Sequence, residues 1–440
     1  MKKIHFLLVF TLLIALIYQP SFAYANETAE SSVTQEQSAS ESSTETVAEP
    51  EAETPAEGYS VAANHAMVIE ANTGKILYEK SSQDVTGIAS TTKLLTAYLI
   101  YEAVANQKAS WEDVVSVSNY AYELSLNPAV ANVPLDARAY TLQELFTAMV
   151  VNSSNGATVA LAEHVAGTEP RFVDAMAAKV KEWGIEDATL VNATGLSNQY
   201  LGDNRYPNSG ETDENMMSAR SLAIIAQRLL MDYPEVSDLT SLITAPFSYT
   251  TVSNWNLLLQ GSTYSRPKVD GLMTGTSEKS GSSLVASGTE NYMRVVAVVL
   301  GAHNGIEDPN ARFVATYSLF EHIKDTYYFK TLVKKGEAYE NSNSKVLNGK
   351  LSTVSAVAEK DFLVVQQIGA ENTSLAYTET DKPLEAPIAE NTPVGTLVFK
   401  DDGYLDQPPH VEMVAKETVD RAIFYKVWWN NFVTWVNEEL

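Results

Sequence analysis

Strand-like runs stand at both ends of one long stretch of this chain, with helical patterns between them. Runs 66–71 and 75–79 flank Asn72-Thr73-Gly74, a strong hairpin signal. Strand character returns at 269–276, 282–287 and 292–300, and a helical segment at 313–324 closes the region. From 111 to 231 the pattern is mostly helical, with loops at Asn127-Pro128, 192–195 and 206–210. Such an order predicts an α+β domain over 58–329, whose sheet pairs strands far apart in sequence. From 330 to 416 short β-rich runs such as Phe362–Gln367 alternate with Gly, Asn and Pro turns, which predicts a small β-sandwich.

The ends of the chain read differently. Lys2 and Lys3, an apolar run over 4–17 and Ala23-Tyr24-Ala25 form a secretory signal with a cleavage site, so residues 1–25 are expected to be removed and the protein exported. Residues 26–57 carry nine Glu and neither Lys nor Arg, which predicts a disordered acidic linker. Over 417–440, Phe424, Tyr425, Trp428, Trp429, Phe432, Val433, Trp435 and Val436 fall on about half of a helical wheel. Lys426, Asn430, Asn431, Thr434 and Asn437 fall largely on the other half, with Ile423 and Val427 as exceptions. This predicts an amphipathic helix in the headgroup region of the outer membrane leaflet, too interrupted to span. The alternative is a helix packed on its own domain.

Composition removes several chemistries. Cysteine is absent, so no thiol nucleophile, disulfide or metal thiolate exists. Thirty basic against 55 acidic residues give a net charge of −25, which argues against nucleic acid as a partner. The six His (5, 65, 164, 303, 322 and 410) show no metal-ligand spacing and suggest no Ser-His-Asp triad. No cofactor or metal is expected.

Another nucleophile is visible. Ser90-Thr91-Thr92-Lys93 opens a predicted helix, and the i, i+3 spacing puts hydroxyl and amine on one face. A Ser hydroxyl needs a neighbouring base. Lys serves if desolvation lowers its pKa, and the helix following Lys93 is strongly apolar. The plainer reading is a helix N-cap Ser beside a solvated Lys. Two more SxxK matches, at Ser265 and Ser342, look like loops without function. A second element, Ser153-Ser154-Asn155, offers a hydroxyl and a carboxamide to one cleft, though Ser125-Leu126-Asn127 is a similar triplet. A third, Met273-Thr274-Gly275-Thr276, ends a strand on which glycine allows a second backbone to approach and pair.

The order SxxK, SxN and a TG strand resembles the penicillin-binding serine peptidases. The segments IASTTKLLT (88–96), NATGL (192–196), SARSLAIIAQRL (218–229) and VDGLMTG (269–275) are similar to low-molecular-mass D-alanyl-D-alanine carboxypeptidases of the DacA type. The resemblance implies their fold, an antiparallel sheet flanked by helices, followed by a β-rich domain and a membrane-associated helix. It implies that Ser90 attacks the bond between the terminal D-alanines of a peptidoglycan stem pentapeptide. Lys93 would be its base, and Ser153, hydrogen-bonded to both, would pass the proton. Asn155 would orient the substrate, and the backbone N–H groups of Ser90 and Thr276 would form an oxyanion hole. Thr274, Gly275 and Thr276 would line the substrate, Arg312 would hold its carboxylate, and beta-lactams would acylate Ser90.

One departure stands out. Met273 occupies the Lys position of the family's K-T-G motif, and it supplies neither charge nor donor. Losing one charge-assisted contact costs about 1.5–3 kcal/mol. A working carboxypeptidase is the expectation. The second reading is a weakened or inactive wall-binding homologue. A beta-lactamase is disfavoured because no ExxLN segment is found.

Overall fold

The computed structural model describes residues 58–305, 307–370 and 372–439. The expected signal sequence and acidic linker lie outside the described residues.

The early hairpin does meet the late strands. Ala63–Glu70 pairs with Lys75–Lys80 on one side and with Met293–Ala302 on the other. Gly281–Glu290 and then Val269–Ser277 complete a five-stranded antiparallel sheet. Side chains alternate along these strands and serve two cores. Met67, Ile69, Val296, Val298 and Leu300 join the helices of the middle segment. Ala66, Val68, Val295, Ala297 and Val299 join Leu319, Phe320 and Ile323 of the helix Ala311–Thr326. Burial on both faces explains why the strand Met293–Ala302 is almost wholly apolar. Val269–Ser277 is the sheet's edge, and its free side faces the Ser90 turn.

The C-terminal part is β-rich as expected. Six strands run in the spatial order Leu375–Glu379, Pro393–Phe399, His410–Ala415, Thr353–Ala358, Ala338–Leu347, Leu384–Glu385. A two-stranded sheet, Tyr327–Val333 with Phe362–Gln367, shares their core through Val333, Phe362 and Val364. This part clasps the early hairpin. Lys75 Nζ lies 2.7 Å from Asp401 Oδ2 and 4.8 Å from the Tyr404 ring centre. Leu405 N donates to Gly74 O, and Ile76 N donates to Gly403 O.

The helix Phe424–Glu439 forms as expected and packs by one side on its own domain. Val427 is buried, Asn431 accepts from Asn348 Nδ2 at 3.3 Å, and Lys426 Nζ donates to Gly349 O, so the polar side rests on the β-rich part. Phe424, Tyr425, Trp428, Trp429, Phe432 and Trp435 point outward, and Trp428 is 65% exposed. No helix among the described residues is long and apolar enough to cross a membrane.

Candidate active site

The SxxK segment begins as a 3-10 turn, Ala89–Thr92, that runs directly into the helix Lys93–Ala105. Ala89 has φ 44°, a left-handed conformation costly for a side chain other than glycine. Thr91 secures the turn, its Oγ1 donating to Ile88 O at 2.5 Å. Two glycines allow its neighbours to close in. A Cβ on Gly195 would lie 1.8 Å from Ala89 O, and one on Gly275 would lie 3.3 Å from Ala89 Cβ. The Ser90 turn is therefore held between the 192–196 loop and the edge strand.

Lys93 is fully buried. Its Nζ lies 3.0 Å from Ser90 Oγ, 2.8 Å from Asn155 Oδ1 and 2.8 Å from Thr194 O. Burial lowers its pKa to about 7, because desolvation disfavours the ammonium. Counting protons assigns the contacts. The Asn155 and Thr194 oxygens can only accept. A neutral amine has two N–H groups for them and one lone pair left, which faces the Ser90 hydroxyl. The plainer reading, a solvated Lys, does not hold.

Ser153 ends the helix Leu142–Asn152, whose start is fixed by a Thr141–Glu144 capping box. Its φ of 58° turns the chain sharply into the helix Asn155–Ala166. Its Oγ is buried and has no hydrogen-bond partner among the described residues. The implied hydrogen bonds from Ser153 to Ser90 and Lys93 are thus not formed. Lys93 meets Asn155 and Thr194 instead, and these contacts with Ser90 use all its capacity. Asn155 is committed at both ends of its amide, since its Nδ2 donates to Ala131 O at 2.8 Å.

On the opposite wall, Thr274 is half-buried and Thr276 is exposed, with Gly275 between them. Arg312 lies behind this strand and is buried. Its Nε donates to Pro309 O, its Nη1 to Gly275 O and Ser283 O, and its Nη2 to Thr276 Oγ1 at 2.7 Å. A guanidinium has five N–H groups. Four are used here, and the last Nη2 N–H is left beside Thr276. Burial lowers the Arg312 pKa to about 10, and no carboxylate pairs with it among the described residues. Met273 is 4% exposed and belongs to the apolar core shared with the helices.

Several site residues carried no recognised signal. Thr194 supplies its carbonyl rather than its side chain. Asn192 Oδ1 accepts from Thr194 N, Thr194 Oγ1 and Gly195 N, while Asn215 Nδ2 donates to Asn192 O and Thr92 Oγ1. The NATGL segment pointed to this loop, but not to its contact with Lys93. Ser277 donates to Glu214 Oε2 at 2.5 Å, tying down the end of the edge strand. Trp255 Nε1 donates to Asn152 O, next to Ser153.

The competing matches separate. Ser265–Lys268 is loop, as expected. Ser342–Lys345 is instead part of the strand Ala338–Leu347, where positions three apart face opposite sides. Ser125 Oγ donates to Tyr122 O, and Asn127 Oδ1 accepts from Ala129 N, so that triplet caps a helix end. Among the described residues no group of His, Asp and Glu is arranged to hold a metal ion.

Known proteins resemble this chain in sequence and fold. The family model for D-alanyl-D-alanine carboxypeptidase matches residues 48–304, and that for the penicillin-binding protein 5 C-terminal domain matches 327–421. A peptidoglycan synthesis regulatory factor (PBP3) from Streptococcus pneumoniae is 42% identical, with TM-score 0.78 over 82% of this chain and 100% of that one. Penicillin binding protein 5 from Haemophilus influenzae is 26% identical, with TM-score 0.64 over 83% of this chain and 100% of that one. The D-alanyl-D-alanine carboxypeptidase DacF of Bacillus subtilis is 28% identical over 82% of this chain and 87% of its own length. On the strength of the matched family model and this shared architecture, the chain belongs to the D-alanyl-D-alanine carboxypeptidase family.

Proposed function

We propose that this protein removes the terminal D-alanine from peptidoglycan stem pentapeptides through an acyl-enzyme on Ser90. The carrying observation is the buried Lys93 amine, 3.0 Å from Ser90 Oγ with its other two contacts on fixed acceptors. Lys93 takes the hydroxyl proton as Ser90 Oγ bonds to the carbonyl carbon of the penultimate D-alanine. The backbone N–H groups of Ser90 and Thr276 receive the developing oxyanion. Breaking the C–N bond expels D-alanine, and its amine takes the proton from Lys93 once the unpartnered Ser153 hydroxyl turns to bridge the two. Water then attacks the ester, frees the tetrapeptide and returns the proton to Ser90.

Arg312 and Thr276 receive the terminal carboxylate, while Asn155 keeps Lys93 and Ala131 and offers its second Nδ2 N–H to the substrate amide. Beta-lactams acylate the same serine. The protein acts outside the cell, at the outer face of the cytoplasmic membrane, where the aromatic side of the C-terminal helix lies in the headgroup region.

The test is release of D-alanine from a D-Ala-D-Ala peptide, together with labelling by a fluorescent penicillin. Wild type should do both and Ser90→Ala neither. A Ser90→Ala variant as active as wild type would sink the assignment.

A further inference from the structure

One acceptor of the Lys93 amine, the Thr194 carbonyl, belongs to a loop whose position depends on a carboxylate the reaction above does not use. Glu169 is the first residue of the helix Glu169–Glu182 and is buried. Its Oε1 accepts from Ala193 N at 2.9 Å, and its Oε2 accepts from Tyr120 Oη at 2.9 Å. Ala193 is held on its other side too, since its carbonyl accepts from Thr96 Oγ1 at 2.7 Å. Thr96 stands one turn beyond Lys93 on the same helix. The next carbonyl, Thr194 O, is the one that meets Lys93 Nζ.

This location is expensive for a carboxylate. Among the described residues no basic side chain pairs with Glu169, and burial pushes its pKa up to about 7. Glu163, half-buried on the neighbouring helix, adds further repulsion. The helix N-terminus and two donated hydrogen bonds offset part of this cost.

We propose that Glu169 is a positioning residue for the Lys93 base, acting through Ala193 to hold the Thr194 carbonyl against the amine. The inference rests on Lys93 being the base of the proposed reaction. A neutral Lys93 points its lone pair at Ser90 only while both N–H groups are held. Without an acceptor on Glu169, Ala193 N–H has no partner, the loop shifts and one of the two anchors is lost.

The experiment uses the full chain and two near-isosteric variants. Glu169→Met keeps the volume and removes the acceptor, whereas Glu169→Gln keeps a carbonyl oxygen for Ala193 N. Fluorescent-penicillin time courses give the acylation rate constant, which does not depend on how much protein is folded, and the endpoint gives the folded fraction. Glu169→Met should slow acylation and lower kcat for D-alanine release roughly 10- to 100-fold, with KM unchanged, because a small misplacement of a reacting group costs that much. Glu169→Gln should stay within about threefold of wild type, since it preserves that position. Wild-type rates in Glu169→Met, or an equal fall in both variants, would overturn the role.

If Glu169→Met yields no folded chain, Glu169→Asp withdraws the acceptor by one methylene. Slowed acylation at unchanged KM is then expected, and a wild-type rate overturns the proposal. A wild-type protein that neither acylates nor releases D-alanine would overturn the reaction itself, a result distinguishable because it precedes any variant.

Discussion

Arg312 donates to Thr276 Oγ1 at 2.7 Å and to no carboxylate among the described residues. A buried guanidinium is ordinarily neutralised by an acid. Here its remaining N–H lies beside an exposed threonine at the end of the edge strand, which suits the carboxylate of a peptide terminus. Arg312→Gln is expected to raise KM for a D-Ala-D-Ala peptide roughly 10- to 100-fold. The sharper measurement compares that peptide with its C-terminal amide. Wild type should strongly prefer the free acid and the variant should not, a ratio that loss of folded protein cannot imitate.

The reaction should have an acid limb near neutrality. Lys93 accepts a proton only as the neutral amine, and burial lowers its pKa to about 7. Acylation should therefore be flat on the alkaline side and fall as pH drops through about 7, approaching tenfold per unit. The limb should persist in Glu169→Gln, which assigns it to Lys93 and not to the buried acid. Stability carries the opposite face of the same shift. Between about 7 and 10.5 the unfolded lysine keeps a proton that the folded one has lost, so Lys93 makes stability rise with pH there. Glu169, raised from 4.5 to about 7, makes stability fall with pH across that lower window. Melting curves of Glu169→Gln against wild type at pH 5 and pH 7 check the second slope.

Met273→Lys should separate charge from packing. The site is buried among apolar side chains, so the ammonium must reach toward the cleft at a cost of about 1–2 kcal/mol in stability. In return it adds positive potential near the substrate carboxylate, and D-alanine release should rise about 10-fold. Parallel denaturant melts and kinetics check both signs. Unchanged kinetics would mean that Arg312 and the threonines already supply what the position offers.

The outward face of the C-terminal helix predicts membrane binding of a particular kind. Its exposed side is aromatic and Lys426 reaches back to Gly349, so binding to neutral phosphatidylcholine vesicles should occur and change little with added salt. Replacing Trp428, Trp429 and Trp435 together by Ser should abolish co-sedimentation and leave D-alanine release from a soluble peptide unchanged.

The sheet was legible because its five strands lie at the two ends of the region, and the Ser90–Lys93 pair because SxxK on a helix has a defined geometry. What stayed hidden was carried by backbone. The Thr194 carbonyl binds Lys93 through an atom every residue possesses, and the left-handed Ala89 has no side-chain signature. Ser342–Lys345 read as loop because residues 340–345 are all polar, yet burial alternates through them as in a strand with one face buried, Ser342 and Ser344 turning inward. The C-terminal wheel divided its sides correctly but left open which one packs. Hydrogen bonding between Asn348 and Asn431 decides it, a pairing between residues far apart in sequence.

The clasp from Lys75 to Asp401 joins the hairpin that begins the central sheet to the part bearing the aromatic helix. Two cores linked only by a single strand crossing could swing about it. A second attachment through Gly74 and Leu405 resists such a swing. Whatever grips the terminal helix then also sets the height and heading of the Ser90 mouth, much as a surveyor's tripod sets the line of sight.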